Sequence, residues 1–376
     1  MREAAQRHRA PRLFLGIANL RSIGAAFGDH AAIAVRREIG QRFDSLGAGA
    51  RPGHGESASV NDRLWEVDGD DGSHRHLQAF TRFMAAPVVF EGFRIHASLA
   101  ERGAEAPGLA ISMGSGGRDR AGWGSRYHGD MALAADLFEN IFEKEPLLAR
   151  QAIHDAGADG QVLYHECLLR RRGDDGTVQS SADGIQAMER LGLIRALDRI
   201  MVLRVLRELQ NAPDVRLGVN ISAQSATCDF WWSDIVARLS MTPGLAERLV
   251  IEITETSAPV AISEMVRFAD RMRGFGCRIA LDDFGVGHAS IDQLLAIRPD
   301  IAKIDALFLR RAQSSPRDRR VLHHLVGLAA SVSDIVIIEG VESEADSALA
   351  REAGSHWQQG YLFGRPTVPP IDASRQ

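Results

Sequence analysis

In the second half of the chain, apolar runs repeatedly end on acidic or amide residues. Val162 and Leu163 lead to Glu166, Leu217 to Val219 lead to Asn220, and Leu249 to Ile251 lead to Glu252, with Glu255 close behind. Cys277 to Leu281 ends in Asp282 and Asp283, Ile301 leads to Lys303 and Asp305, Ile335 to Ile338 leads to Glu339 and Glu342, and Gln359 precedes Gly360. If the runs are parallel strands of one barrel, their C-terminal ends converge on a single mouth. Carboxylates gathered there repel one another unless cations neutralise them, and a set of hard oxygen ligands suits Mg2+ or Mn2+. The vicinal pair Asp282-Asp283 suits two ions, because one carboxylate can bridge them while its neighbour turns to the second. Paired divalent ions serve in-line attack on phosphorus, so the expected chemistry is phosphoester hydrolysis. Taken singly, each acid reads as a helix cap or a solvated loop residue, and Lys303 as a salt-bridge partner. The joint pattern reverses that reading. His323 and His324 are adjacent rather than four apart, so they are read as structural.

These positions require a scaffold in which strands alternate with crossover helices, and the second half has that rhythm. Ile185, Met188, Ile194, Leu197, Met201, Val205 and Leu209 recur at helical spacing over 184–209. A second helix is expected over 263–273, with Ser263 as N-cap and Gly274 as its stop. The expected fold is α/β, a TIM-like (β/α)8 barrel preceded by a smaller α/β domain. For that smaller domain the sequence predicts a strand over 13–18, a helix over 23–43, a short strand over 63–67 between loops at 51–61 and 68–73, and strands over 90–100 and 108–113. The glycine-rich stretch 114–123 reads as a linker, with the boundary near 124–130. Domain limits of 1–125 and 126–376 follow.

The chain has 376 residues, 45% hydrophobic and 25% charged, which excludes disordered and fibrous classes and provides for a substantial core. Its net charge of -5 gives no basic field for a polyanion, so DNA is not expected as a partner. Cys167, Cys228 and Cys277 are dispersed, which fits neither a zinc site nor a disulfide framework and points to a cytoplasmic setting. No apolar run reaches membrane-spanning length.

Together these segments resemble the EAL-type cyclic di-GMP phosphodiesterases. Glu166-Cys167-Leu168-Leu169-Arg170 is similar to the Glu-Ala-Leu motif with its following Leu-x-Arg, and Val219-Asn220-Ile221-Ser222 to the family's Asn-x-Ser strand end. Glu252-Ile253-Thr254-Glu255, Asp282-Asp283-Phe284-Gly285, Lys303-Ile304-Asp305, Glu339-Gly340-Val341-Glu342 and Gln359-Gly360-Tyr361 match the remaining signatures in order. The resemblance implies that Glu166, Asn220, Glu252 and Asp282 bind one Mg2+ or Mn2+ ion, and that Asp282 and Asp283 hold a second. It further implies that water between the ions attacks cyclic di-GMP and releases pGpG, with Lys303 and Glu339 handling protons and Glu255 and Gln359 in support. Arg170, Leu168 and Asp305 fall on the substrate side. A homodimer through the barrel is also implied.

Three departures stand out. Cys167 replaces the usual Ala, and Val286, His288 and Ala289 replace a Thr, a Tyr and a Ser in the loop after Asp283. That loop orders the second metal site in the family, so the change implies low or switchable turnover, or a silent cyclic di-GMP receptor that signals to a protein partner. The N-terminal part resembles a degenerate GGDEF domain over Leu15 to Arg21. Gly16 stands where an active member has a metal-binding Asp, and Leu64 to Asp68 lacks the Gly-Gly-Asp/Glu-Glu-Phe hairpin. Cyclase chemistry is therefore not expected, while GTP binding as an activator is.

Overall fold

Packing divides the chain into two units, Met1–Glu139 with Gly184–Ala196, and Asn140–Asp183 with Leu197–Gln376. The structure, a computed structural model, describes residues 12–45, 51–52, 65–68, 85–101, 120–143, 147–157, 160–173, 175–242, 244–254, 261–286 and 291–369. Glu255, Gly287 to Ser290, the strand expected over 108–113 and most of the 51–61 and 68–73 loops lie outside them.

The first unit runs β1 (Arg12–Ile17), α1 (Leu20–Phe27), α2 (Asp29–Ser45), β2 (Arg51–Pro52), β3 (Trp65–Asp68), β4 (Val88–Phe90), β5 (Phe93–Ile95), β6 (Leu99–Glu101) and most of α3 (Arg120–Glu143). Strands β2, β3, β1 and β6 form one sheet in that order. The single helix expected over 23–43 is two, because Gly28 at φ 90 breaks it. Helix α2 then buries Ala31, Val35, Ile39 and Phe43 along one stripe. The single strand expected over 90–100 is a hairpin and a separate strand. Glu91 and Gly92, both at positive φ, reverse the chain as a two-residue turn of twisted hairpins does. Of the linker expected over 114–123, residues 120–123 belong to α3, which runs as one helix over 120–143 through the boundary expected near 124–130.

The second unit contains β7 (Leu147–Asp155), β8 (Val162–Arg172), β9 (Val178–Ser180), most of α5 (Ile194–Asn211), β10 (Leu217–Ser222), α6 (Ser233–Met241), β11 (Leu249–Thr254), α7 (Ile262–Gly274), β12 (Arg278–Phe284), α8 (Ile291–Ile297), β13 (Ile301–Ile304), α9 (Ala306–Ser314), α10 (Pro316–Ala330), β14 (Ile335–Ile338), α11 (Glu344–Ala353) and β15 (Trp357–Gln358). The helix α4 (Ala182–Leu191) precedes α5, and Gly192 at φ 68 separates them where one helix was expected. Helix α7 ends on Gly274 as expected, with Gly276 at φ 101 just beyond it, but its N-cap position is Ala261 rather than Ser263 and supplies no side-chain hydrogen bond.

Parallel pairing of β8 with β10 closes the barrel in the order β10-β11-β12-β13-β14-β15-β7-β8. One strand is reversed: β7 lies antiparallel to both β8 and β15. The connection from β7 to β8 spans only 156–161, enough for a hairpin and too short for the crossover that parallel strands need. A buried cluster of Ile153, Leu163, Tyr164, Val250, Ala280, Ile301 and Ile337 fills the barrel beneath the mouth. Because side chains alternate along a strand, residues two positions past Tyr164, Val250, Ala280, Ile301 and Ile337 share their face. Those residues are Glu166, Glu252, Asp282, Lys303 and Glu339.

Candidate active site

The five polar residues above meet around one ammonium group. Lys303 is fully buried, and its Nζ lies 2.7 Å from Glu339 Oε1, 2.8 Å from Glu252 Oε2, 3.0 Å from Asp282 Oδ1 and 3.5 Å from Glu166 Oε2. Burial alone would lower the Lys303 pKa, but Asp282, Glu166, Glu252 and Glu339 outweigh it and hold the ammonium well above its ordinary range. The same crowding sorts the acids. Glu166 is penalised by burial, yet Lys303 and hydrogen bonds from Gln359 and Asn220 bring it below the usual carboxylate range. Burial, reinforced by neighbouring acids, pushes Glu252 up to about 8 and Asp283 up to about 7. Burial is also the first cause of the upward shifts at Asp282 and Glu339.

Asn220 and Gln359 brace Glu166 from two sides. Asn220 Nδ2 donates to Glu166 Oε1 at 2.5 Å, and Gln359 Nε2 donates to Glu166 Oε2 at 2.6 Å. Gln359 Nε2 also reaches Gln151 Oε1 at 3.3 Å, and the sequence pattern does not single out this β7 residue because the apolar run Leu147 to Ala149 is followed by Arg150 rather than by an acid. Only the reversed hairpin brings it to the mouth.

Asp282 and Asp283 are consecutive on a strand, which ordinarily sends side chains to opposite faces. Here β12 shifts register between Leu281 and Phe284, and Asp283 takes φ 53, a costly conformation for a residue with a β-carbon. The kink turns both carboxylates the same way. One oxygen each from Glu166, Glu252 and Asp282 lies within 4.8 Å of the others, as does one each from Asp282, Asp283 and Glu339. Asp282 belongs to both triads.

These residues fit divalent cations. Asn220 Oδ1 and Glu252 Oε1 are buried and accept no hydrogen bond from the described residues, an arrangement that costs free energy unless something positive meets them. The donors are all hard oxygens, as Mg2+ or Mn2+ require. Glu339, read from sequence as a proton handler, is placed where it could also serve the second triad.

The residues expected on the substrate side are placed differently. Leu168 and Arg170 alternate with Glu166 on β8, and the Arg170 guanidinium donates to Leu169 O at 3.1 Å. Asp305 Oδ1 accepts from Leu307 N at 2.8 Å and so caps α9. The segments after β14 and β15 interlock through backbone: Val341 N donates to Gln359 O at 3.0 Å, and Leu362 N to Val341 O at 3.0 Å. A β-carbon at Gly360 would stand 2.0 Å from Val341 O, so only glycine permits that approach. His323 and His324 are exposed on α10, and the three cysteines are free.

Residues 134–366 match the EAL domain family. The chain belongs to the EAL-domain family. Among curated EAL relatives it is 29% identical over 220 residues to the cyclic di-GMP phosphodiesterase PdeF of Escherichia coli K12, covering 57% of this chain and 29% of PdeF. It spans less than half the length of the curated relatives compared. Among solved structures, the phosphodiesterase PaMucR in complex with c-di-GMP superposes with a TM-score of 0.55 at 23% identity, covering 63% of this chain and 98% of that one. Bacillus subtilis YkuI, an EAL-domain protein in complex with substrate c-di-GMP and calcium, gives 0.52 at 24% identity, covering 64% of this chain and 60% of YkuI. These likenesses establish the barrel fold. Among the described residues no helix is long and apolar enough to cross a membrane.

Proposed function

We propose that this chain hydrolyses cyclic di-GMP to linear pGpG, with divalent cations held at the barrel mouth. The observation that carries the reading is the pair of oxygen triads joined at Asp282. Glu166, Asn220, Glu252 and Asp282 would hold one Mg2+ or Mn2+, and Asp282 and Asp283 the other. When bound, such cations neutralise the phosphodiester and acidify a water. Lys303 keeps its proton and presents a fixed positive charge to the reacting phosphate. Glu339, biased toward its protonated form, holds a proton for the departing 3'-oxygen. Arg170 offers a rigid fork to a phosphate or guanine edge beside Leu168. Asp305 positions the start of α9 on the substrate side, Gln359 orients Glu166, and Glu255 is assigned a supporting role by its motif.

The N-terminal residues 1–125 are read as a degenerate GGDEF-like regulatory domain that binds GTP, and 126–376 as the catalytic domain, in a cytoplasmic homodimer. PdeF is named a cyclic di-GMP phosphodiesterase, which supports the reading of the substrate. Purified protein supplied with Mn2+ should convert cyclic di-GMP to pGpG on product chromatography, and Glu166→Ala should not. Wild-type protein that binds the nucleotide without cleaving it sinks the enzymatic reading. The altered residues Val286, His288 and Ala289 would then favour a receptor that signals to a partner, and a cellular phenotype surviving Glu166→Ala would identify it.

A further inference from the structure

Directly beneath the carboxylates, the barrel floor carries an aromatic ring opposite a glycine. Tyr164 on β8 is 1% exposed, and its Oη has no hydrogen-bond partner among the described residues. Gly218 on the neighbouring strand β10 pairs in register with Glu166 on one side and Val250 on the other. A β-carbon at Gly218 would stand 2.6 Å from Tyr164 Cε2 and 2.1 Å from Glu252 Oε1. Ring and carboxylate therefore meet over a position with room for a hydrogen atom alone. A buried tyrosine usually finds a partner for its hydroxyl, so the ring's bulk is what this position uses.

We infer that Tyr164 is a positioning residue: its ring, seated in the space left by Gly218, is the floor that holds the Glu252 carboxylate at the height where a divalent cation takes it. Glu252 has little else to fix it. Among the described residues its Oε1 accepts no hydrogen bond, and Lys303 Nζ meets its Oε2 at 2.8 Å. Asn220 and Gln359 brace Glu166 by hydrogen bonds, whereas Glu252 is braced by volume. Residues that orient a metal ligand typically change metal affinity by 10–100-fold when altered, and packing can orient as hydrogen bonds do. The inference rests on the proposed cation role of Glu252.

The test is Mn2+ affinity by calorimetry on the full chain, with melting temperature measured in parallel on metal-free protein. Tyr164→Phe keeps the ring and should keep the wild-type Kd. Tyr164→Leu opens the floor and should weaken Mn2+ by about tenfold. Gly218→Ala alone overfills the floor and should weaken Mn2+ comparably, whereas added to Tyr164→Leu it refills the space and should restore affinity. That reversal of sign between backgrounds is what a role confined to stability would not produce. Wild-type Kd in Tyr164→Leu, or a Gly218→Ala effect of one sign in both backgrounds, overturns the inference. Should Tyr164→Leu fail to fold, Gly218→Ala and Tyr164→Phe still decide it: unchanged affinity in the first or lost affinity in the second is fatal. Wild-type protein that binds no Mn2+ overturns the cation reading itself, and this inference with it.

Discussion

Two groups of buried carboxylates in the barrel are treated in opposite ways. On its wall, Asp198 of α5 accepts from Ser222 N at 2.9 Å and from Ser225 Oγ at 2.6 Å, while Asp234 of α6 is ion-paired with the adjacent Arg199. At the mouth, Glu166, Glu252, Asp282 and Glu339 share one ammonium, and Glu252 Oε1 accepts no hydrogen bond from the described residues. Wall carboxylates are satisfied by the fold, so they stabilise it. Mouth carboxylates are held close together at a cost, and such sites are where ligands bind. Burial alone does not separate function from structure, but the completeness of the partners does.

Removing the shared ammonium should break this contrast most severely. Lys303→Met leaves the mouth acids uncompensated, so chemical denaturation should report a loss of about 3–5 kcal/mol, and hydrolysis should vanish with it. Retained stability would mean that the acids are already neutral without it. On the wall, Asp198→Ala strands two donors at about 1–3 kcal/mol each, which thermal melts should report as a drop of several degrees. Turnover measured well below the melting point should stay near wild type, and a loss there would move Asp198 into the working site.

The smallest effect concerns pH. Burial pushes Glu252 up to about 8 from its ordinary 4.5, and Asp283 up to about 7 from 3.8. Between those limits the unfolded chain has released protons that the folded chain keeps, so rising pH favours unfolding. The melting temperature of metal-free protein should therefore fall from pH 5 to pH 8. Added Mn2+ should raise it more at pH 8 than at pH 6, because cations bind ionised carboxylates. A flat profile without metal would place these acids in a wetter setting than the barrel gives them.

Much of the site was legible because strand ends are local features: an apolar run followed by an acid is visible in a few residues. Glu166, Asn220, Glu252, Asp282, Lys303 and Glu339 were found in this way. What escaped depends on the chain folding back on itself. Gln151 reaches the mouth only because β7 is reversed, and the φ of Asp283 is set by the register shift in β12. Gly218 looked like any small strand residue until Tyr164 lay beside it. In the smaller unit, the pattern predicts one helix over 23–43 because a glycine inside apolar periodicity is often tolerated, whereas Gly28 takes φ 90 and ψ 161, an extended conformation open to glycine that ends α1.

The interlock of Gly360 with Val341 has a mechanical consequence. Glu339 and Gln359 lie on segments tied backbone to backbone, with no side chain between them to absorb a displacement. A displacement of one segment therefore carries the other with it, which ties the position of Glu339 to that of Gln359 and of the Glu166 carboxylate it holds. Widening that contact, as any side chain at position 360 would, detunes both at once while leaving every mouth residue chemically intact.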